Sequence, residues 1–126
     1  MYEVGASELV TAWHVMPGME GPEGELHSHD YRIEVVVTRE ELDDDGMVCD
    51  LDVLRAALAG ATAQVRDRNL EVIEPEDADA VTVEIFARWI HDQLSAALAG
   101  ADGEGTLQVR VWETPEAFGG YAAALA

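Results

Sequence analysis

Apolar residues alternate with polar ones along two stretches of the chain, and at two later stretches the spacing lengthens to three and four. From Tyr2 to Val15 the even positions Tyr2, Val4, Ala6, Val10, Ala12 and His14 carry most of the apolar weight, which predicts a strand or a bent pair of strands. The segment "MPGMEGPEGE" that follows is a loop by its glycines and prolines. From His27 the alternation is cleaner: His27, His29, Tyr31, Ile33, Val35 and Val37 share one face, and Ser28, Asp30, Arg32, Glu34 and Thr38 the other. After the acidic turn "REELDDDG", Asp50 is placed to cap a helix whose apolar stripe is Leu51, Leu54, Leu58, Ala61 and Val65. "NLEVIEPEDAD" connects to a second helix, capped by Thr82 with Val81 and Phe86 as a hydrophobic staple. Val83, Phe86, Ile90, Leu94 and Ala97 form its stripe, and Gly100 is its expected end. Leu107, Val109, Val111 and Glu113 then alternate with Gln108, Arg110 and Trp112 as a further strand, and the tail "TPEAFGGYAAALA" is placed to add a short edge strand or a final turn. The order strand, strand, helix, helix, strand predicts an α+β domain with an antiparallel sheet, one domain over residues 1–126.

Composition narrows the possible partners. The formal charge is −19, carried by 26 acidic residues against seven arginines and no lysine. Such a surface repels nucleic acid and anionic membrane, so neither is expected as a partner. No apolar run approaches the roughly 20 residues that span a bilayer, and "MYEVGASE" lacks the basic and apolar regions of a signal peptide. The chain therefore reads as cytoplasmic. Cys49 is the one cysteine, which rules out an internal disulfide and a cysteine-cluster zinc site. The run Asp43-Asp44-Asp45 lacks the alternating ligand spacing of a calcium loop and reads as turn chemistry.

Candidate chemistry starts with His27 and His29. Residues i and i+2 of a strand point the same way, about 6.5–7 Å apart at Cα, so two imidazoles there can converge on one ion. A third nitrogen has two possible sources. His14 ends the first strand on its apolar parity, whereas His91 lies in the helical "RWIHDQL" and reads as structural. Three protein ligands with one open position is the catalytic arrangement of zinc. The plainer alternative makes each histidine a partly buried core residue satisfied by a hydrogen bond. Glu113 sits on the apolar face at a strand end, where a carboxylate is costly unless paired and can bind a planar NH/NH₂ edge. The alternative for Glu113 is a strand-end residue facing solvent.

Six segments in order, "TAWH", "ELHSHDYRIEVVV", "GMVCDLDVLRAAL", "DRNLEVI", "TVEIFARWIHDQL" and "VRVWETPEAFGGY", resemble the 6-pyruvoyl-tetrahydropterin synthase and 6-carboxytetrahydropterin synthase family over nearly the whole chain. The resemblance implies the T-fold, an antiparallel sheet with two helices packed on one face, assembled into an oligomeric barrel, commonly a homohexamer built as a dimer of trimers. It also implies Zn²⁺ held by His14, His27 and His29, a pterin substrate anchored by Glu113 with Thr82 nearby, and lyase chemistry on the substrate side chain. The proton-transfer residues depart from the family pattern. The usual catalytic cysteine position is Glu23, and Cys49 is no substitute for it; the Asp-His pair is replaced by Arg66-Asp67; and "PT.EN" becomes Val81-Thr82-Val83-Glu84-Ile85. A glutamate at the cysteine position marks a branch of the family that cleaves the dihydroneopterin side chain, so Glu23 is the candidate base and Asp67 a candidate acid or relay. Ordinary solvated residues are the alternative for both. A triphosphate substrate asks for a basic cluster, which Arg32, Arg66, Arg68 and Arg88 would have to form against the overall charge. The leading expectation is a zinc-dependent lyase of altered chemistry. The alternatives are a zinc- and pterin-binding homologue without turnover and a structural oligomer with satisfied histidines. Gly21, His27, His29 and Glu34 also match the start of a cupin motif, but Glu41 stands where its glycine belongs, and two central helices do not suit a cupin.

Overall fold

A computed structural model describes residues 1–99 and 104–125. Strand β1 spans Tyr2–His14 without a break, and β2 spans His27–Arg39. Helix α1 spans Leu51–Ala63 and α2 spans Val83–Leu98, followed by β3 at Thr106–Thr114 and β4 at Ala117–Ala124. The sheet is antiparallel throughout in the order β1-β2-β3-β4, so each strand pairs with its sequence neighbour. The first strand is one strand rather than a bent pair, and the tail resolves to an edge strand.

The two-residue period decides what faces inward. Val10, Ala12, Tyr31, Ile33, Val35, Val37, Leu107, Val109 and Val111 are buried on one face of the sheet. Leu54, Leu58 and Ala61 of α1 and Phe86, Ile90, Leu94 and Leu98 of α2 complete the core, with α1 against β1 and α2 against β3 and β4. Both helices thus cover the same face. Within α2 the stripe is rotated slightly from expectation: Ala97 is exposed, and Leu98 and His91 are buried instead. Gly100, the expected helix end, lies outside the described residues.

The predicted caps are present. Asp50 accepts from the backbone N–H groups of Asp52 and Val53, and Thr82 Oγ1 accepts from Ile85 N–H at 3.2 Å. The acidic turn holds itself: Asp43 Oδ1 accepts from Asp45 and Met47 N–H, with Gly46 at φ 77°. Past α1 the chain is tied to β1, because Asp67 N–H donates to the Thr11 carbonyl and Trp13 N–H to the Arg68 carbonyl. Asp67 takes the left-handed conformation there, with φ 59°.

Candidate metal centre

The register of the first hairpin assembles the histidines. In the β1–β2 ladder His14 stands directly opposite His27, and Ala12 opposite His29. Cross-strand neighbours on one face lie within side-chain contact, and a diagonal neighbour is close enough for aromatic rings. The ring centroids follow that order: 4.3 Å for His14–His27, 4.9 Å for His27–His29 and 5.2 Å for His14–His29. One nitrogen from each ring lies within 4.8 Å of the others. Tyr31, two residues beyond His29 and 1% exposed, forms the floor, its ring 5.5 Å from His29 and 5.3 Å from Phe86 below.

Donors that no protein group satisfies are what a metal site requires, and they are present. Both ring nitrogens of His14 and Nε2 of His29 are buried without a well-aligned hydrogen bond, the Val81 backbone lying close enough to the His14 ring to favour its proton slightly. Buried polar atoms are nearly always paired, so three orphaned imidazole nitrogens in one cluster call for a further partner. Hydrogen bonding to the Glu25 carbonyl at 2.7 Å makes His27 Nδ1 the protonated nitrogen and leaves Nε2 as a free lone pair. Burial, then the neighbouring His27, pushes the His14 pKa below the ordinary histidine value, so the neutral, ligating form is favoured. Three imidazoles converging on one point are a fitting donor set for zinc. The reading of these histidines as satisfied core residues does not describe His14 or His29. It does describe His91, which is buried with Nε2 3.2 Å from the Ala123 carbonyl and Nδ1 3.3 Å from Ser95 Oγ.

Glu113 reaches into the same cluster. Its Oε1 lies 2.9 Å from His29 Nε2 and 3.9 Å from His14 Nε2. The short contact is poorly aligned, leaving His29 Nε2 without a true hydrogen bond. Burial and this carboxylate raise the Tyr31 pKa, keeping the phenol neutral. Val81, beside the capping Thr82, lines a cavity of about 360 Å³ together with His14, Asn69, Glu71, Glu74 and Asp79. Thr82 therefore stands next to the site through its neighbour.

Glu23 and Asp67 do not join the cluster. Glu23 lies in a 3₁₀ turn, Pro22–Gly24, whose backbone is held near the end of β1 by Met16 N–H donating to the Glu23 carbonyl. Its side chain is exposed and makes no hydrogen bond or ion pair among the described residues. The Asp67 side chain is likewise exposed. Arg66, at the other replaced position, donates to Glu8 Oε1 at 2.8 Å and to the Leu9 carbonyl. Tyr31 is the residue that sequence reasoning left among the apolar positions. Its parity, two residues past His29, was the available signal.

A model of the 6-pyruvoyl tetrahydropterin synthase family matches residues 4–124. The 6-carboxy-5,6,7,8-tetrahydropterin synthase of Bacillus subtilis is 28% identical over 120 residues, covering 93% of this chain and 82% of that protein. The crystal structure of 6-pyruvoyl tetrahydropterin synthase from Plasmodium vivax superposes with a TM-score of 0.77 at 15% identity, covering 98% of each chain. A variant of the Plasmodium vivax protein, with a catalytic glutamate replaced by alanine, superposes with the same TM-score of 0.77 at 15% identity, again over 98% of each chain.

Proposed function

Since the chain belongs to the 6-pyruvoyl tetrahydropterin synthase family and has its T-fold, we propose that it is a zinc-dependent lyase acting on the side chain of a dihydroneopterin-type pterin. The carrying observation is the cluster of orphaned nitrogens on His14 and His29 beside the Nε2 of His27, with Glu113 against it. His14, His27 and His29 would hold the ion. When bound, zinc supplies a Lewis acid that polarises side-chain oxygens and lowers the pKa of adjacent C–H bonds.

The remaining roles fall to the protein's own groups. The Glu113 carboxylate is about one-third exposed and able to accept two parallel hydrogen bonds from the NH/NH₂ edge of the ring. Thr82 Oγ1 spends a lone pair on the helix cap, so its hydroxyl proton is left to donate to ring or side-chain oxygen. Glu23 is the candidate base for a proton of the pterin side chain, a role a carboxylate can fill, and a glutamate is named as catalytic in the Plasmodium vivax relative. Asp67 is the second candidate, as the acid that returns it. The sheet leaves β1 and β4 as free edges among the described residues, which supports edge-to-edge assembly into a homo-oligomeric barrel.

A non-catalytic zinc- and pterin-binding homologue is the alternative, favoured by the exposed, unpartnered Glu23 and by the engagement of Arg66 with Glu8. Mass-resolved incubation of zinc-loaded protein with dihydroneopterin and its triphosphate separates the two. A new product mass, lost in His27→Ala and in Glu23→Gln, is the expected result. Unchanged pterin that still binds establishes the alternative.

A further inference from the structure

We infer that Glu113 has two working positions, and that occupation of the histidine cluster by an ion shifts it from one to the other. The inference rests on the pterin reading above and adds an order of assembly, metal before ring. Glu113 Oε1 stands 2.9 Å from His29 Nε2 and 3.9 Å from His14 Nε2, among the nitrogens that would hold the metal. A neutral imidazole nitrogen offers a proton to a carboxylate or a lone pair to an ion, never both at once. Once His29 Nε2 gives its lone pair to an ion, the contact that keeps Glu113 there is lost.

This inner position does not suit a ring anchor. The NH/NH₂ edge of a pterin lies across the bicycle from the carbon that carries the side chain. With side-chain oxygens at the histidine cluster, the anchoring carboxylate must stand a ring's width away. Space for that lies beside it, because Glu113 also borders a cavity of about 230 Å³ that it lines with Leu9, Asp30, Arg32 and Trp112, from the sheet parity opposite the histidines. Arg32 is engaged there already, stacked on Trp112 at 4.8 Å and donating to Glu34 Oε2 at 3.4 Å. The backbone leaves Glu113 room to turn. Pairing of β3 with β2 reaches only Trp112, opposite Arg32, and the β3–β4 ladder shifts register between Trp112 and Thr114, so Glu113 has a Cα partner in neither register. Irregularities of this kind re-aim a side chain where pairing ends. The inner contact is also loose, since it gives His29 Nε2 no aligned hydrogen bond. A ligand shifts a two-state equilibrium by its differential affinity for the states, and an ion that needs His29 Nε2 favours the outward one.

The test is fluorescence titration of pterin itself, the ring without a side chain, against chelator-stripped and zinc-loaded protein. With no side-chain oxygens present, tighter binding reports on the ring anchor. Zinc should tighten it at least about fivefold, the low end of coupling between two sites. Metal-free His29→Ala and His29→Phe both lack the inner partner, and the second keeps a ring packed on Tyr31. Each should bind the ring as tightly as the zinc-loaded parent does. Equal binding by the two forms of the parent overturns the inference while upholding the pterin reading. So does a zinc effect that neither metal-free variant reproduces, because the ion would then act on the ring directly. Binding to no form of the protein overturns the pterin reading itself, and the inference with it.

Discussion

His14 shows how one residue's surroundings set its chemistry. It closes β1 on the inward parity, so folding buries an imidazole against two others. Burial and His27 lower its pKa, which makes the folded, metal-free protein a poorer proton binder than the unfolded chain. Stability contributed this way is complete above the ordinary histidine pKa of about 6.5 and is lost as pH falls from there through the lowered value. Urea midpoints of metal-free protein should therefore drop between about pH 7.5 and about pH 5, and drop less in His14→Asn. Zinc held by the proposed site would add to the effect, because the same protons would compete for its ligands. Tyr31 offers a second test at this scale. Tyr31→Ala removes the floor of the histidine cluster and the ring packed on Phe86, at a cost of about 3–5 kcal/mol. Tyr31→Phe keeps the packing and should unfold within about 1 kcal/mol of the parent.

The helix caps separate scaffold from site at the level of elements. Asp50 and Thr82 both satisfy backbone N–H groups at a helix start, yet only Thr82 adjoins the cavity beside His14. Each should lose about 1 kcal/mol on substitution by alanine, read from denaturation midpoints. Only Thr82→Ala should also weaken pterin binding. Gly119 in β4 controls how closely α2 approaches the sheet, since a Cβ there would collide with the Val83 side chain and crowd Glu84 Oε1. Gly119→Ala is expected to displace the start of α2 and destabilise by more than 1 kcal/mol, roughly the cost of overpacking, and the loss should appear in the same unfolding measurement.

Over the whole molecule the charge of −19 acts as a uniform term. Self-repulsion works against the compact state and is weakened by screening. Raising salt from about 0.02 M to about 0.5 M should raise the urea midpoint, more for this chain than for a near-neutral domain of its size. The ion pairs along the surface do not offset that repulsion, since exposed pairs contribute little each.

The fold was legible from the alternation of residues 27–38, the caps at Asp50 and Thr82 and the glycine-rich turns, because period and capping are local properties that tertiary packing here reinforces. The inward parity of His14, His27 and His29 was legible for the same reason. Three things were decided only by long-range packing. The register that sets His14 opposite His27 depends on how a twelve-residue connection, 15–26, closes the hairpin. Glu113 meets His29 because β3 pairs with β2 after two intervening helices. The exposure of Glu23 and Asp67 depends on where a turn and a left-handed residue dock against β1. Period tells which way a side chain points; only the closed sheet decides what it meets.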